Sequence, residues 1–222
     1  PVEAEPDGAA KNRFVSFLVP DDDGTTALSA LRVRLTSLHH PSAPPDAPDF
    51  SAFEGEYRYV SLYRNANDAP VFACPDSLGF GTSYACAELS CTPEFRDWRG
   101  EFGGQVLHVT SPAIVPSSTY HVAVVPELCT GTEADCKPAS AELSISTGRW
   151  GDVEPGQLNA IDVAAVVGKV KDVQGALIEP RGMLQPNVLN PIGFSASAID
   201  VAFCVDALKG FAYPFAGPAA CP

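Results

Sequence analysis

A five-residue stretch that occurs twice near the end of the chain limits its fold more than any other feature. Ala-Ile-Asp-Val-Ala spans residues 160–164 and returns at 198–202, 38 positions later. Across 160–173 and 198–211, seven of fourteen aligned positions are identical, Val167/Val205 and Lys171/Lys209 among them. A repeat has to be read first, because missing it mis-assigns the architecture. Each copy opens an apolar helical pattern: Ile161, Ala164, Ala165 and Val167 in the first, Ile199, Ala202, Phe203 and Val205 in the second. Each Asp falls in the first turn, where negative charge suits the N-terminal end of the helix dipole. Two copies are too few for a solenoid. They predict a small pseudo-symmetric pair of loop–helix units whose apolar stripes pack together.

Residues 151–163 read Gly-Asp-Val-Glu-Pro-Gly-Gln-Leu-Asn-Ala-Ile-Asp-Val. This segment resembles the first calcium loop and helix of a type I dockerin, a module with a duplicated loop–helix related to the EF-hand. The ending at 210–218, Gly-Phe-Ala-Tyr-Pro-Phe-Ala-Gly-Pro, is similar to the tails of dockerin-like modules in secreted bacterial proteins. The likeness covers residues 150–222. It implies a docking tail that binds a protein partner or a second copy of the chain.

The loop residues offer calcium ligands: Asp152, Glu154, Asn159 and Asp162. They also depart from the pattern. Calcium takes about six to eight oxygens, several from carboxylates, and Asp152 to Asp162 is one residue short of the roughly twelve-residue loop. Its middle position is Gly156, and the second loop, 187–197, has no carboxylate before Asp200. The competing reading is that both aspartates cap their helices and a packed apolar contact replaces the metal. No other cofactor is implied.

The chain is 45% apolar and 18% charged, which supports a packed core. Twenty-one Pro and 18 Gly imply many turns. Short runs at 13–19, 30–38, 56–63, 84–91, 105–110, 119–125 and 141–146 alternate or are rich in β-formers, and 71–74 is a short apolar piece. The first reads as a strand buried on both faces. Such strands, separated by Gly and Pro turns, predict a mainly β fold, an antiparallel β-sandwich. The expected organisation is a flexible segment over 1–11, the sandwich over 12–148, and a small α-helical dockerin-like domain over 149–222. Trp150 is expected to pack across the last two. Three prolines, 180, 186 and 191, exclude a long helix between the repeat copies, leaving one helical turn near 182–185.

Residues 1–150 hold 20 acidic and 10 basic residues, so −10 of the net −13 lies there. Such a surface repels phosphate backbones, so no nucleic-acid partner is expected. No run of 18 apolar residues is present, so no membrane span is expected. The chain opens at Pro1 on a polar stretch, as a processed mature protein does.

Seven cysteines stand at 74, 86, 91, 129, 136, 204 and 221, without a C-x-x-C pair or zinc-like spacing. Beside turn-rich segments they read as disulfides of an extracellular or cell-surface protein. Cys129 and Cys136 bracket a polar loop. Cys221 is expected to pin the tail through Cys204, and Cys74 to pair with Cys86. Cys91 is then buried and free, or bridges to another chain.

Nothing matches a nucleophile elbow or a metalloprotease helix. His39, His40, His108 and His121 read as strand or loop residues, and the acidic turn at 21–23 as solvated. No catalytic residue is assigned and no enzymatic role is expected. The leading reading is a non-catalytic extracellular assembly protein, a homo-oligomer that joins head to tail into filaments. The alternative is a carbohydrate-binding module on a dockerin-like anchor, with Tyr57, Tyr59, Tyr63, Phe95 and Trp98 stacking on a polysaccharide.

Overall fold

The computed structural model describes residues 3–4, 13–19, 29–38, 49–64, 67, 70–71, 84–126, 141–154, 156–176, 179–185 and 196–222. The acidic turn at 21–23, His39, His40, Cys74, Cys129 and Cys136 lie outside the described residues, as does all of the 1–11 segment except 3–4.

The described chain is mainly β. Its strands are β1 (Glu3–Ala4), β2 (Phe14–Val19), β3 (Ser29–Thr36), β4 (Tyr57–Arg64), β5 (Pro70–Val71), β6 (Tyr84–Ser90), β7 (Gln105–Thr110), β8 (Thr119–Pro126) and β9 (Leu143–Ser146). The helices are α1 (Trp98–Phe102), α2 (Ala160–Val170), α3 (Glu179–Gly182) and α4 (Ala198–Leu208). The single turn expected near 182–185 is α3, a few residues earlier.

The strands form one hydrogen-bonded sheet in the order β1-β2-β7-β6-β4-β3-β8-β9, with β5 beside β4. The β6–β7 pair is parallel, with Cys86 opposite His108. The other described pairs are antiparallel. β1 and β9, the two ends of this order, approach one another. The sheet therefore curls nearly into a barrel, where the sequence predicts two stacked layers. The reason is β3. It pairs with β4 at Arg32–Arg34 and with β8 along its whole length, so strands that a sandwich would divide between layers are ladder neighbours. The ordinary twist between adjacent strands then accumulates into curvature.

The inside of the curl is the main core, with Val15, Phe17, Leu31, Val33, Leu35, Leu62, Leu107, Val109 and Val122. β2 is buried on both faces: Phe14 lies edge-on to the His108 ring on the other side, and the Ser16 hydroxyl bonds His108 Nδ1 at 2.5 Å. The Tyr120 hydroxyl accepts the Val115 N–H at 2.7 Å and can donate to the Val115 carbonyl at 3.3 Å, so one phenol holds the turn before β8. Burial raises its pKa, keeping it a neutral donor.

The helical segment is built into this body. Trp150, Ala207 and Tyr213 are part of the main core. The Trp150 ring meets Phe203, Tyr213 and Phe215 at centroid distances of 6.2, 5.8 and 6.3 Å, the last two edge-on, a favoured aromatic geometry. Buried Arg13, just before β2, lies in the field of Tyr213 and Asp200.

The expected Cys204–Cys221 bridge is corrected. Cys221 is bonded to Cys91, which is therefore not free, and among the described residues Cys204 is a buried free thiol. Cys204 points inward and donates to the Gly151 carbonyl at 3.5 Å, whereas the tail runs past α4 to the β body. Cys86 is disulfide-bonded.

Candidate docking surface on the helical pair

α2 and α4 pack against each other. Each begins with a capping box, Asn159 with Asp162 and Ser197 with Asp200. The two acids also reach back over the chain that precedes their helices. Asp162 Oδ1 accepts the N–H groups of Val153 at 2.9 Å and Glu154 at 3.0 Å, and Oδ2 accepts that of Asn159 at 2.8 Å. Asp200 Oδ1 accepts the Leu184 N–H at 2.8 Å, and Oδ2 that of Ser197 at 2.8 Å. Both acids are almost fully buried, at 1% and 2% exposure. A buried carboxylate is tolerated only when such bonds replace its water.

The helix ends match as well. The N–H of Asp172 bonds the Lys169 carbonyl and that of Val173 the Gly168 carbonyl; Gly210 and Phe211 do the same to Ala207 and Asp206. This is the Schellman ending, and its left-handed residue is Asp172 (φ 52°) in one copy and Gly210 (φ 86°) in the other. Between the caps, every residue of 160–173 shares its degree of burial with the residue 38 later, except the pair Lys169/Ala207.

A small core joins the units. Its buried members are Val153 and Leu184, whose amides the two aspartates hold, and Val166 and Cys204, which are repeat partners. Val163, Ala165, Val201 and Phe203 pack around it. The predicted stripe is thus out of phase. Ile161, Ala164, Ile199 and Ala202 face outward, and the buried line runs through Asp162 and Val166 in α2 and through Asp200 and Cys204 in α4. The physical cause is the pair of aspartates, which must face the chain whose amides they bind.

Among the described residues, the exposed large hydrophobics are Ile161, Val170, Val173, Ile199, Leu208 and Phe211. All six lie on this segment and form three repeat pairs: Ile161/Ile199, Val170/Leu208 and Val173/Phe211. Ile161 is 66% and Phe211 62% exposed. Lys171 and Lys209, also repeat partners, are exposed beside them.

Two of the four residues expected to bind calcium, Asn159 and Asp162, are engaged by backbone N–H groups. Asp162 spends both oxygens on backbone N–H groups, and Asn159 Oδ1 accepts the Ile161 N–H at 2.7 Å. No cluster of three His, Cys, Asp or Glu side chains able to hold a metal occurs among the described residues. Asp152 lies in the electrostatic field of Asp162. Burial, then the Asp162 charge, push its carboxyl up to about 6 against the pull of Arg149. In the second unit the Gln185 side-chain amide donates to Asp200 Oδ2 at 3.4 Å. The Cys204 thiol is pushed up to about 12 by burial and by the Asp162 and Asp152 charges, which makes it unreactive.

The aromatic set does not form an open platform. Trp98, capped into α1 by Asp97, is buried in the main core, and Tyr59 is buried in β4. Tyr57 lies beneath the Arg32 guanidinium at 4.0 Å, and Phe95 packs on Val125. Tyr63 is half-buried. His121 Nδ1 lies 2.6 Å from Arg34 Nη2, and the same arginine bonds Glu142 at 2.6 Å, a structural network.

Sequence reasoning missed Val153 and Leu184, because they precede their aspartates by 9 and 16 residues and a fixed-offset comparison cannot align them. It also missed the exposed pairs, placing Ile161 and Ile199 in the stripe expected to pack. No family model matches the chain, and neither a curated protein nor a solved structure matches it.

Proposed function

We propose that this chain is a non-catalytic extracellular assembly protein, and that its C-terminal helical pair is a dockerin-like docking module for a second copy of the chain. The observation that supports this is the duplicated apolar set: Ile161/Ile199, Val170/Leu208 and Val173/Phe211, exposed on the helical pair. A duplicated set of large apolar side chains exposed to water gives a partner apolar contacts to cover. The inner face of the pair is already committed, through Trp150, Ala207 and Tyr213, to bracing its own β body. The outer face is left for a partner.

Lys171 and Lys209 offer the acidic body of a second copy two local positive contacts. Lys171 and Lys209 flank the apolar residues, whereas residues 1–150 carry −10 of the net −13. Residues 151–222 themselves carry −3, so the apolar pairs and not net charge would drive a head-to-tail contact, and such contacts build open chains when the rotation does not close. The Cys91–Cys221 bond and the disulfide-bonded Cys86 suit an oxidising, extracellular setting. The Ser16–His108 pair, the nearest arrangement to a nucleophile and base, is sealed in the protein at 2% and 1% exposure, which removes it from substrate.

Static light scattering over a dilution series tests the reading. The expected mass exceeds the 23.3 kDa of one chain and falls toward it on dilution. A mass fixed at one chain over the whole range, up to millimolar protein, overturns it.

A further inference from the structure

The last ten residues, 213–222, have no regular secondary structure and form a strap that leaves α4 and returns to the β body. Its course is fixed at three places. Tyr213 and Phe215 stack on Trp150. Gly217 lies so close over the Phe50 ring that a Cβ there would stand 2.2 Å from it. Cys221 is bonded to Cys91, 130 residues away in sequence.

Arg58, in β4, organises the end of the strap. Its Nη2 donates to the Ala219 carbonyl and pairs with Glu56 Oε2 at 2.8 Å. Glu56 Oε1 accepts the Cys221 N–H at 3.4 Å. The other terminal nitrogen, Nη1, donates to Cys91 Sγ at 3.8 Å. The cation thus lies against one sulfur of the disulfide, and both cysteines are half-buried, within reach of a small thiol.

We infer that Cys91–Cys221 is a thiol-exchange site with fixed polarity, in which a small thiolate attacks Cys221 and Cys91 departs as the thiolate held by Arg58. The incoming thiolate forms a new sulfur–sulfur bond to Cys221 Sγ. The Cys91–Cys221 bond breaks, and its electron pair leaves on Cys91 Sγ facing the guanidinium. A second small thiolate then attacks the first one's sulfur in the mixed disulfide, Cys221 leaves as its thiolate, the two small thiols depart as their disulfide, and both protein cysteines are left reduced. Exchange is faster when the leaving sulfur is the better thiolate, and an adjacent guanidinium makes it so. Opening frees the strap from residue 217 onward. Cys204, the free thiol among the described cysteines, is buried and takes no part. The inference is independent of the docking reading.

Glutathione is the probe. The folded wild-type protein is exposed to it briefly, quenched in acid with N-ethylmaleimide, digested and mapped by mass spectrometry. Glutathione is expected on Cys221 and maleimide on Cys91; glutathione on Cys91 overturns the assignment. The opening rate is then compared in Arg58→Met and Arg58→Lys. The Met variant is expected to open about tenfold more slowly, with most of the rate restored by Lys. A Met variant that folds and opens at the wild-type rate overturns the role of Arg58. If it does not fold, the wild-type map decides the polarity.

Discussion

Asp162 and Asp200 stand 38 residues apart and hold the chain before them in the same way. Each Oδ1 takes the amide of a buried residue upstream, Val153 or Leu184, and each Oδ2 takes the amide of its own N-cap. The repeat therefore extends beyond sequence identity into hydrogen bonding, burial and helix termination.

Removing either carboxylate strands buried amides. Asp162→Ala and Asp200→Ala are each expected to cost about 2–4 kcal/mol, with the Asn variants losing less because one acceptor oxygen remains. Urea denaturation followed by circular dichroism measures this. A loss below about 0.5 kcal/mol for both Ala variants contradicts the shared capping role.

The two Schellman endings differ at one residue, Asp172 in place of Gly210, both left-handed. An L-residue is strained there and Gly is not. Asp172→Gly is expected to stabilise by about 0.5–1 kcal/mol, and Gly210→Asp to destabilise by a similar amount, both read from urea midpoints.

In the first loop both Asp162 carboxylate oxygens and Asn159 Oδ1 hold backbone amides, not a metal. Adding millimolar calcium, or stripping it with a chelator, is expected to leave the melting temperature unmoved. A rise of several degrees on adding calcium requires the loop to rearrange around the ion.

The Asp152 carboxyl is raised to about 6 from the ordinary 3.8. Between those values the folded state binds more protons at this site than the unfolded state, so its contribution to stability falls as pH rises from about 4 to about 6, then levels. The difference in melting temperature between Asp152→Asn and wild type is expected to grow over that window, in favour of the variant at pH 7. A difference independent of pH contradicts the raised Asp152 carboxyl.

Which parts of this molecule could be read from its residues follows from the range of the interactions. The duplicated helices were legible because capping and termination are local. Their buried face was not, since an Asp such as Asp162 reads as a surface residue until the amides it serves are known. Alternation located the strands, but it carries no information about partners, so the continuous β4-β3-β8 ladder could not be told from two layers. Cys91 and Cys221 are 130 residues apart, and no spacing rule joins them. Trp98 looked like part of a stacking platform, but the Asp97 cap turns it into the core.

Sedimentation velocity of the wild type beside Ile161→Lys/Ile199→Lys tests the docking module most directly, because both positions are exposed and the substitutions leave the core untouched. The account predicts concentration-dependent species larger than one chain for the wild type and a single monomer peak for the double variant. Identical distributions for the two proteins at every concentration would contradict it.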